Sequence, residues 1–285
     1  MCAICGCSNT NHVTMASAVT GDLRKISATL HEHAHAHGIA HEHGIAHEHP
    51  PAHEHDVSGH SHSRTIALEQ EILAKNQRLA DGNRRWFAER RITALNLVSS
   101  PGAGKTTLLE CTIRDLQVEM SIAVIEGDQE TSNDAERIRA TGCNALQINT
   151  GAGCHLEADM LARGVAQLQP ALASLLMIEN VGNLVCPALF DLGERAKVVV
   201  LSITEGEDKP AKYPHMFRAS SVMLLNKIDL LPHLRFNLER CIAIARQVNP
   251  HLVIFPLSAE TGEGMAAWYG WLRTEVAWRP EIAMP

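Results

Sequence analysis

No run of eighteen apolar residues occurs in this 285-residue chain, so nothing in it reads as a membrane-spanning helix. The N-terminal "MCAICGCSNT" lacks the basic n-region and apolar h-region of a secretory signal. A basic patch is lacking too. Lys and Arg number 25 against 32 Asp and Glu, a net charge of −7 with histidine neutral. With nothing to neutralise phosphates along a polymer, nucleic acid is not an expected partner. Cysteine is too sparse for a disulfide scaffold: there are eight, and three fall within the first seven positions. Reduced thiols of a cytoplasmic protein, some used as ligands, are expected.

One stretch has no lysine or arginine at all. Residues 31–62, "HEHAHAHGIAHEHGIAHEHPPAHEHDVSGHSH", hold twelve histidines, with Glu32, Glu42, Glu48, Glu54 and Asp56 as the only formal charges. So little is there to bury that the tract is expected to be disordered. "GIAHEH" occurs twice in succession, which is a compositional repeat and too short and polar for a solenoid. The tract becomes cationic below about pH 6.5, the free imidazole value. Residues 11–30 read as a weakly structured linker. The expected organisation is a metal-binding Cys cluster and His-rich tail over 1–63, followed by one globular domain over 64–285.

The domain opens on a predicted helix, 64–91. Ile66, Leu73, Ala80 and Phe87 recur every seven residues, with Ile72, Leu79 and Trp86 beside them. The stripe either docks on the domain or forms a coiled-coil seam between two copies. Then apolar runs alternate with helical segments. Strands are predicted at 93–100, 121–127, 144–150, 174–180, 197–203, 220–226 and 252–258. Helices are predicted near 104–118, 132–141, 156–168, 235–248 and 263–276. Several runs are continuously apolar and β-branched, as in strands covered on both faces. The fold class is therefore α/β, a mostly parallel sheet flanked by helices.

"SSPGAGKTT" (99–107) follows the first of these strands and opens a helix. It matches the phosphate-binding pattern G-x-x-x-x-G-K-[ST] at Gly104, Lys105 and Thr106, with Ser99 in place of the first glycine. Gly102 and Gly104 let the turn through Ala103 aim N–H groups at phosphate oxygens. Lys105 supplies a point charge to the β/γ-phosphates, Thr106 a hydroxyl to Mg²⁺, and the helix start at Thr106–Thr107 a favourable dipole. The mechanism survives the serine if Ser99 has an ordinary backbone conformation.

"NKID" (226–229) follows a later strand and is the guanine-reading pattern N-K-x-D. Asp229 accepts from guanine N1–H and the 2-amino group, which adenine cannot match, so the wrong base leaves a carboxylate unpaired. Asn226 ties the loop together and the Lys227 stem covers the base. "SAE" (258–260) places Ser258 and Ala259 in a backbone-donating loop. Asp128 in "EGDQETSND" and Glu179 in "ENVGNL" leave strand ends, and are the natural carboxylates to stand near Thr106 and Mg²⁺. Gly182 is a candidate γ-phosphate sensor. No glutamine is placed to orient water, so slow turnover is expected, with Asp128 as the water-orienting group.

Three groups of residues suit metals. Cys2, Cys5 and Cys7, spaced C-x₂-C-x-C, can surround one soft or borderline ion. Cys154 and His155 in "GAGCHLEAD", with Cys186 in "NLVCPAL", lie after strands and can share the edge where nucleotide binds. Two thiolates and an imidazole suit Zn²⁺ or Ni²⁺. In the tail, His31, His33, His35, His37, His41, His43, His47, His49, His53 and His55 form spaced pairs that suit buffering of Ni²⁺ or Zn²⁺. Cys111, Cys143 and Cys241 fall in helical or strand text and read as core.

Taken together, "CAICGC", the His-rich tract, "SSPGAGKTT", "EGDQETSND", "TGAGCHLEA", "ENVGNLVCP", "TEGEDKPAKYP" and "NKIDLLP" resemble the hydrogenase nickel-incorporation GTPases, the HypB family. The resemblance covers nearly the whole chain. It implies a SIMIBI-type P-loop GTPase that binds GTP/GDP with Mg²⁺ and helps insert nickel during NiFe hydrogenase maturation. It implies a tight nickel site at Cys2, Cys5 and Cys7 and a Ni²⁺/Zn²⁺ site at Cys154, His155 and Cys186. A GTP- or metal-promoted homodimer is implied, with contacts at Leu230 and Leu234. The implied partners are a nickel metallochaperone accessory protein and the hydrogenase large subunit precursor. Two other readings remain. One is the urease-type nickel GTPase, whose Cys-Pro-His motif is not met here because Ala188 follows Cys186-Pro187. The other is a nickel storage protein in which GTP binding is regulatory.

Overall fold

A computed structural model describes the backbone of residues 12–17, 23–27 and 58–66, and the full chain of 67–129 and 133–277. Cys2, Cys5, Cys7 and the ten candidate histidines of the tail lie outside these residues. Seven strands run parallel, β3 (Thr93–Ser99), β4 (Ile122–Asp128), β5 (Asn144–Asn149), β6 (Leu175–Glu179), β7 (Ala196–Ser202), β8 (Val222–Asn226) and β9 (Val253–Pro256). Every predicted strand is present. An antiparallel hairpin, β1 (His12–Ser17) and β2 (Leu23–Ser27), extends the sheet along β5. The order is β2-β1-β5-β4-β6-β3-β7-β8-β9.

The hairpin corrects the reading of 11–30 as a linker. In β1, apolar Val13 and Met15 are set apart by polar His12 and Thr14, which suits a strand added to a sheet edge.

The apolar runs are strands because both faces are covered. Every residue of β3, β6, β7 and β8 is buried. Helices α2 (Lys105–Leu116), α3 (Asn133–Ala140), α4 (Ala158–Leu168), α8 (Leu238–Val248) and α9 (Met265–Ala277) occupy the predicted positions. Short helices α5 (Cys186–Leu189), α6 (Lys209–Lys212) and α7 (Pro214–Ala219) follow β6 and β7. One cluster packs α2 and α9 on the sheet through Leu108, Leu109, Ile113, Trp268 and Leu272. Full burial of each such side chain contributes about 1.5–3 kcal/mol.

The first helix, α1, runs Ser58–Arg90. It begins six residues before the expected 64, since extending a formed helix costs little compared with nucleating one. Its C-terminal half docks on the domain. Ala80 and Phe87 are buried, while Leu68 and Ile72 nearer the start are exposed. Two asparagines fix the docking. Asn76 donates to the Asp191 carbonyl at 2.7 Å and accepts from the Ala158 amide at 2.9 Å. Asn83 donates to the Ala158 and Leu192 carbonyls at 2.9 and 3.0 Å. Among the described residues no helix is long and apolar enough to cross a membrane.

Parallel strands place all their C-terminal ends on one edge. Ser99, Asp128, Asn149, Glu179, Ser202 and Asn226 therefore stand along a single rim. The first strand of the domain, β3, lies between β6 and β7, so the loop that leaves it opens where successive connections diverge. Ligands of open α/β sheets bind in that crevice.

Candidate functional site

The loop between β3 and α2 is built by its two left-handed glycines. Gly102 has φ +76° and Gly104 φ +93°, a region that costs other residues steric strain. Ser99 is not among the positive-φ residues, so the serine does not disturb the turn. Its hydroxyl instead accepts from Lys105 Nζ at 2.7 Å. Lys105 and Thr106 are both buried. Thr107 Oγ1 accepts from Arg137 at 3.2 Å.

The acidic flank lies on β6 and β4. Thr106 Oγ1 donates to Glu179 Oε1 at 2.9 Å. Glu126 sits opposite Glu179 in the parallel register of β4 and β6. Burial, reinforced by Glu179 and Asp128, pushes the Glu126 carboxyl up to about 9. Burial also raises Glu179 to about 7, against the pull of Lys105 and the Thr106 hydrogen bond. Glu126 Oε2 and Glu179 Oε2 are buried with no hydrogen-bond partner in the protein. Two orphaned carboxylate oxygens beside a hydroxyl fit a hard divalent cation such as Mg²⁺. Asp128, at the end of β4, accepts from the Gln129 amide at 2.7 Å.

Glu126 was not anticipated. Its signal is a carboxylate inside the apolar run "SIAVIEG", where burying a charge is costly unless a partner or ligand meets it.

Two side chains of the "NKID" loop, Asn226 and Lys227, join it to the phosphate loop. Asn226 donates to the Ala103 carbonyl at 2.9 Å and accepts from the Lys227 and Ala259 amides at 2.8 and 3.1 Å. Lys227, itself at φ +67°, donates from Nζ to the Gly102 carbonyl at 2.7 Å. Asp229 lies in the 3₁₀ turn Ile228–His233, and its Oδ1 is buried without a protein partner. Ser258 is buried, and its hydroxyl accepts from the Thr261 amide at 3.1 Å, which closes the last loop.

A sulfur–imidazole cluster stands on the same rim. Cys154, His155 and Cys186 bring one ligand atom each within 4.8 Å of the others. The two sulfurs are 2.9 Å apart, and Cys154 Sγ is 3.6 Å from His155 Nδ1. Burial lowers His155 to about 4, so the ring is neutral at physiological pH, the form that binds metal. Its Nε2 is buried without a hydrogen-bond partner, and the ring rests 4.0 Å from that of Phe190. Cys143 and Cys241 are buried in the core as expected, and burial pushes both thiols up to about 12. Cys111 is only half-buried and donates to the Ala259 carbonyl at 3.1 Å.

Residues 179–186 run between the two sites. Gly182 packs so closely on the phosphate loop that an added Cβ would lie 3.0–3.2 Å from Pro101. Asn180 accepts from the Leu156 amide at 3.1 Å and donates to Asn96 Oδ1 at 3.2 Å. Asn183 donates to the Cys154 carbonyl at 3.4 Å. Of the residues implied as dimer contacts, Leu234 is exposed and Leu230 is half-buried against the core beside α8.

A family model described as the CobW/HypB/UreG nucleotide-binding domain matches residues 93–256. The chain is 60% identical to the hydrogenase maturation factor HypB of Rhizobium leguminosarum bv. viciae over 78% of its length and 75% of the relative's. It is 48% identical to the factor of the same name from Cupriavidus necator, over 95% of this chain and 88% of that one. The crystal structure of HypB from Helicobacter pylori in complex with nickel superposes with a TM-score of 0.67 and 34% identity. That match covers 71% of this chain and 95% of the other. With a phosphate loop, a guanine-type pattern and a thiol–imidazole cluster on one sheet edge, the chain belongs to the HypB family of CobW/HypB/UreG nucleotide-binding proteins.

Proposed function

We propose that this chain is a GTP-hydrolysing nickel metallochaperone that assists GTP-dependent nickel insertion during NiFe hydrogenase maturation. The observation that carries the reading is the short path between the two sites. Glu179 stands under Thr106, and Cys186 closes the sulfur–imidazole cluster seven residues later.

Guanine specificity rests on Asp229, whose buried Oδ1 awaits donors that adenine lacks. Lys105 neutralises the β/γ-phosphates, and the Gly102–Gly104 turn presents amides to them. Thr106, Glu179 and Glu126 would hold Mg²⁺, which would offset phosphate charge. Asp128 orients the attacking water, and turnover is slow because no glutamine serves that purpose. Cys154, His155 and Cys186 hold nickel or zinc as cargo, with thiolates as soft donors and a neutral imidazole as the third. Gain or loss of the γ-phosphate is read at Gly182, against Pro101, and shifts the segment that ends at Cys186. Cys2, Cys5 and Cys7 form a separate tight nickel site, and the tail histidines a store of weak ones. The protein acts in the cytoplasm as a GTP- or metal-promoted dimer, with the accessory metallochaperone and the hydrogenase large subunit precursor as partners.

The test is replacement of the wild-type chain by Lys105→Ala. GTP hydrolysis should vanish, the hydrogenase precursor should stay nickel-free at limiting nickel, and tail metal binding should persist. Hydrolysis that survives this change would remove the phosphate-loop assignment.

A further inference from the structure

Lys209 belongs to "TEGEDKPAKYP", a motif that none of the roles above uses. It stands in α6, which follows β7, on the side of β3 opposite Glu179 and Glu126. Its ammonium reaches back to the phosphate loop and donates to Ser100 Oγ at 3.3 Å. The side chain is only 19% exposed.

Its surroundings hold it there without using its donors up. Glu205 is fixed at the end of β7 by a reciprocal cap: the Ser202 amide donates to Glu205 Oε1 at 3.0 Å. The other oxygen, Oε2, lies 3.4 Å from Lys209 Nζ as an ion pair, yet accepts no hydrogen bond. The Tyr213 ring lies 5.0 Å from the same nitrogen. An ammonium has three donors, and Ser100 takes one.

Two lysines therefore end on consecutive residues, Lys105 on Ser99 and Lys209 on Ser100. The base-reading side chains touch the other part of the loop, at Gly102 and Ala103. The nucleoside is thus seated toward Ala103, and Ser99–Ser100 marks the end reached by the terminal phosphate. We propose that Lys209 is a second phosphate-binding lysine, which contacts the γ-phosphate and gives the site its preference for the triphosphate over the diphosphate. Binding requires Lys209 only to exchange Ser100 Oγ for a phosphate oxygen, with Glu205 retained as its tether. The inference rests on the guanine-nucleotide reading above.

The test compares the affinities of a non-hydrolysable GTP analogue and GDP for the full-length protein. Lys209→Met should weaken the analogue by about 10–100-fold, the worth of a charge-assisted hydrogen bond, and GDP by no more than about twofold. Lys209→Arg should restore most of the difference. Equal losses for both nucleotides, or no loss for either, would overturn the role of Lys209 alone. Failure of the wild type to bind guanine nucleotides would overturn the parent reading and this one together. A measurement that needs no variant is acetylation of the wild-type chain read by mass spectrometry. The analogue should protect Lys209 more than GDP does, and equal protection would count against the contact.

Discussion

Asn180 Oδ1 accepts a hydrogen bond from the Leu156 amide at 3.1 Å. Asn180 follows Glu179, which holds Thr106, and Leu156 follows His155, a metal-ligand candidate. One buried amide therefore ties the strand end under the phosphate loop to the turn that carries the imidazole. Asn180 also receives the Val181 amide at 3.0 Å. Asn180→Ala should cost about 1–3 kcal/mol by leaving buried donors unsatisfied, read by denaturant unfolding. The same variant should shrink the difference in Ni²⁺ affinity between the GDP and GTP-analogue forms, measured by calorimetry. Linkage requires an equal change in the effect of nickel on nucleotide affinity. An undiminished difference would shift the coupling to the Gly182–Pro101 and Asn183–Cys154 contacts.

The thiol–imidazole cluster is tested best without the N-terminal cysteines. In a chain with Cys2, Cys5 and Cys7 changed to Ser, Ni²⁺ should still give thiolate charge-transfer absorption. Cys186→Ala and His155→Ala should each remove most of it, whereas Cys111→Ala should leave it intact. Proton release on metal binding should fall in Cys186→Ala, because thiols bind metals as thiolates. An unchanged spectrum in Cys186→Ala would place the ion elsewhere.

Glu126 and Glu179 make stability depend on pH in a direction that can be checked. Both carboxyls are raised in the fold, to about 9 and about 7, chiefly by burial. A raised acid binds its proton more tightly folded than unfolded. Its stabilising contribution is complete below the unfolded value of about 4.3 and is lost as pH rises through the folded value. Without Mg²⁺ and nucleotide, these two groups should make melting temperature fall from about pH 5 to pH 9. Saturating Mg²⁺ and GDP should flatten that slope, and Glu126→Gln should flatten it without ligands. A slope indifferent to Glu126→Gln would separate this carboxyl from the effect.

Gly104 and Gly142 allow a controlled comparison. Both have positive φ, +93° and +83°. A Cβ at Gly104 would lie 2.6 Å from Asn226 Nδ2, whereas one at Gly142 meets nothing within 4 Å. Gly142→Ala should cost only the left-handed strain, about 1–2 kcal/mol. Gly104→Ala should lose more and should also abolish GDP binding, since it separates the two loops. Equal melting shifts with GDP binding intact in both would contradict the contact with Asn226.

Much of this was legible because it depends on local pattern. Apolar runs, several of them continuous, marked the seven parallel strands, and the spacing of "SSPGAGKTT" and "NKID" located two loops at strand ends. Tertiary register was not legible. Glu126 lies opposite Glu179 only because β4 pairs with β6, and no spacing along the chain encodes that pairing. Asn76 and Asn83 escaped a reading of α1 that sought apolar residues alone, although polar bonds to Ala158, Asp191 and Leu192 set its docking. The hairpin of β1 and β2 is short and adjoins low-complexity text. Lys209 stood in a motif recognisable as a unit, but its reach to Ser100, 109 residues away in sequence, is a tertiary contact.

Asn226 has a kinetic consequence. By bonding to Ala103, Lys227 and Ala259 at once, it ties the "NKID" and "SAE" loops to the phosphate loop. Loops so joined resist hinging against one another. On the proposed function, nucleotide release would then depend on the opposite bank, from Asp128 to Cys186, and cargo bound there would slow or speed it.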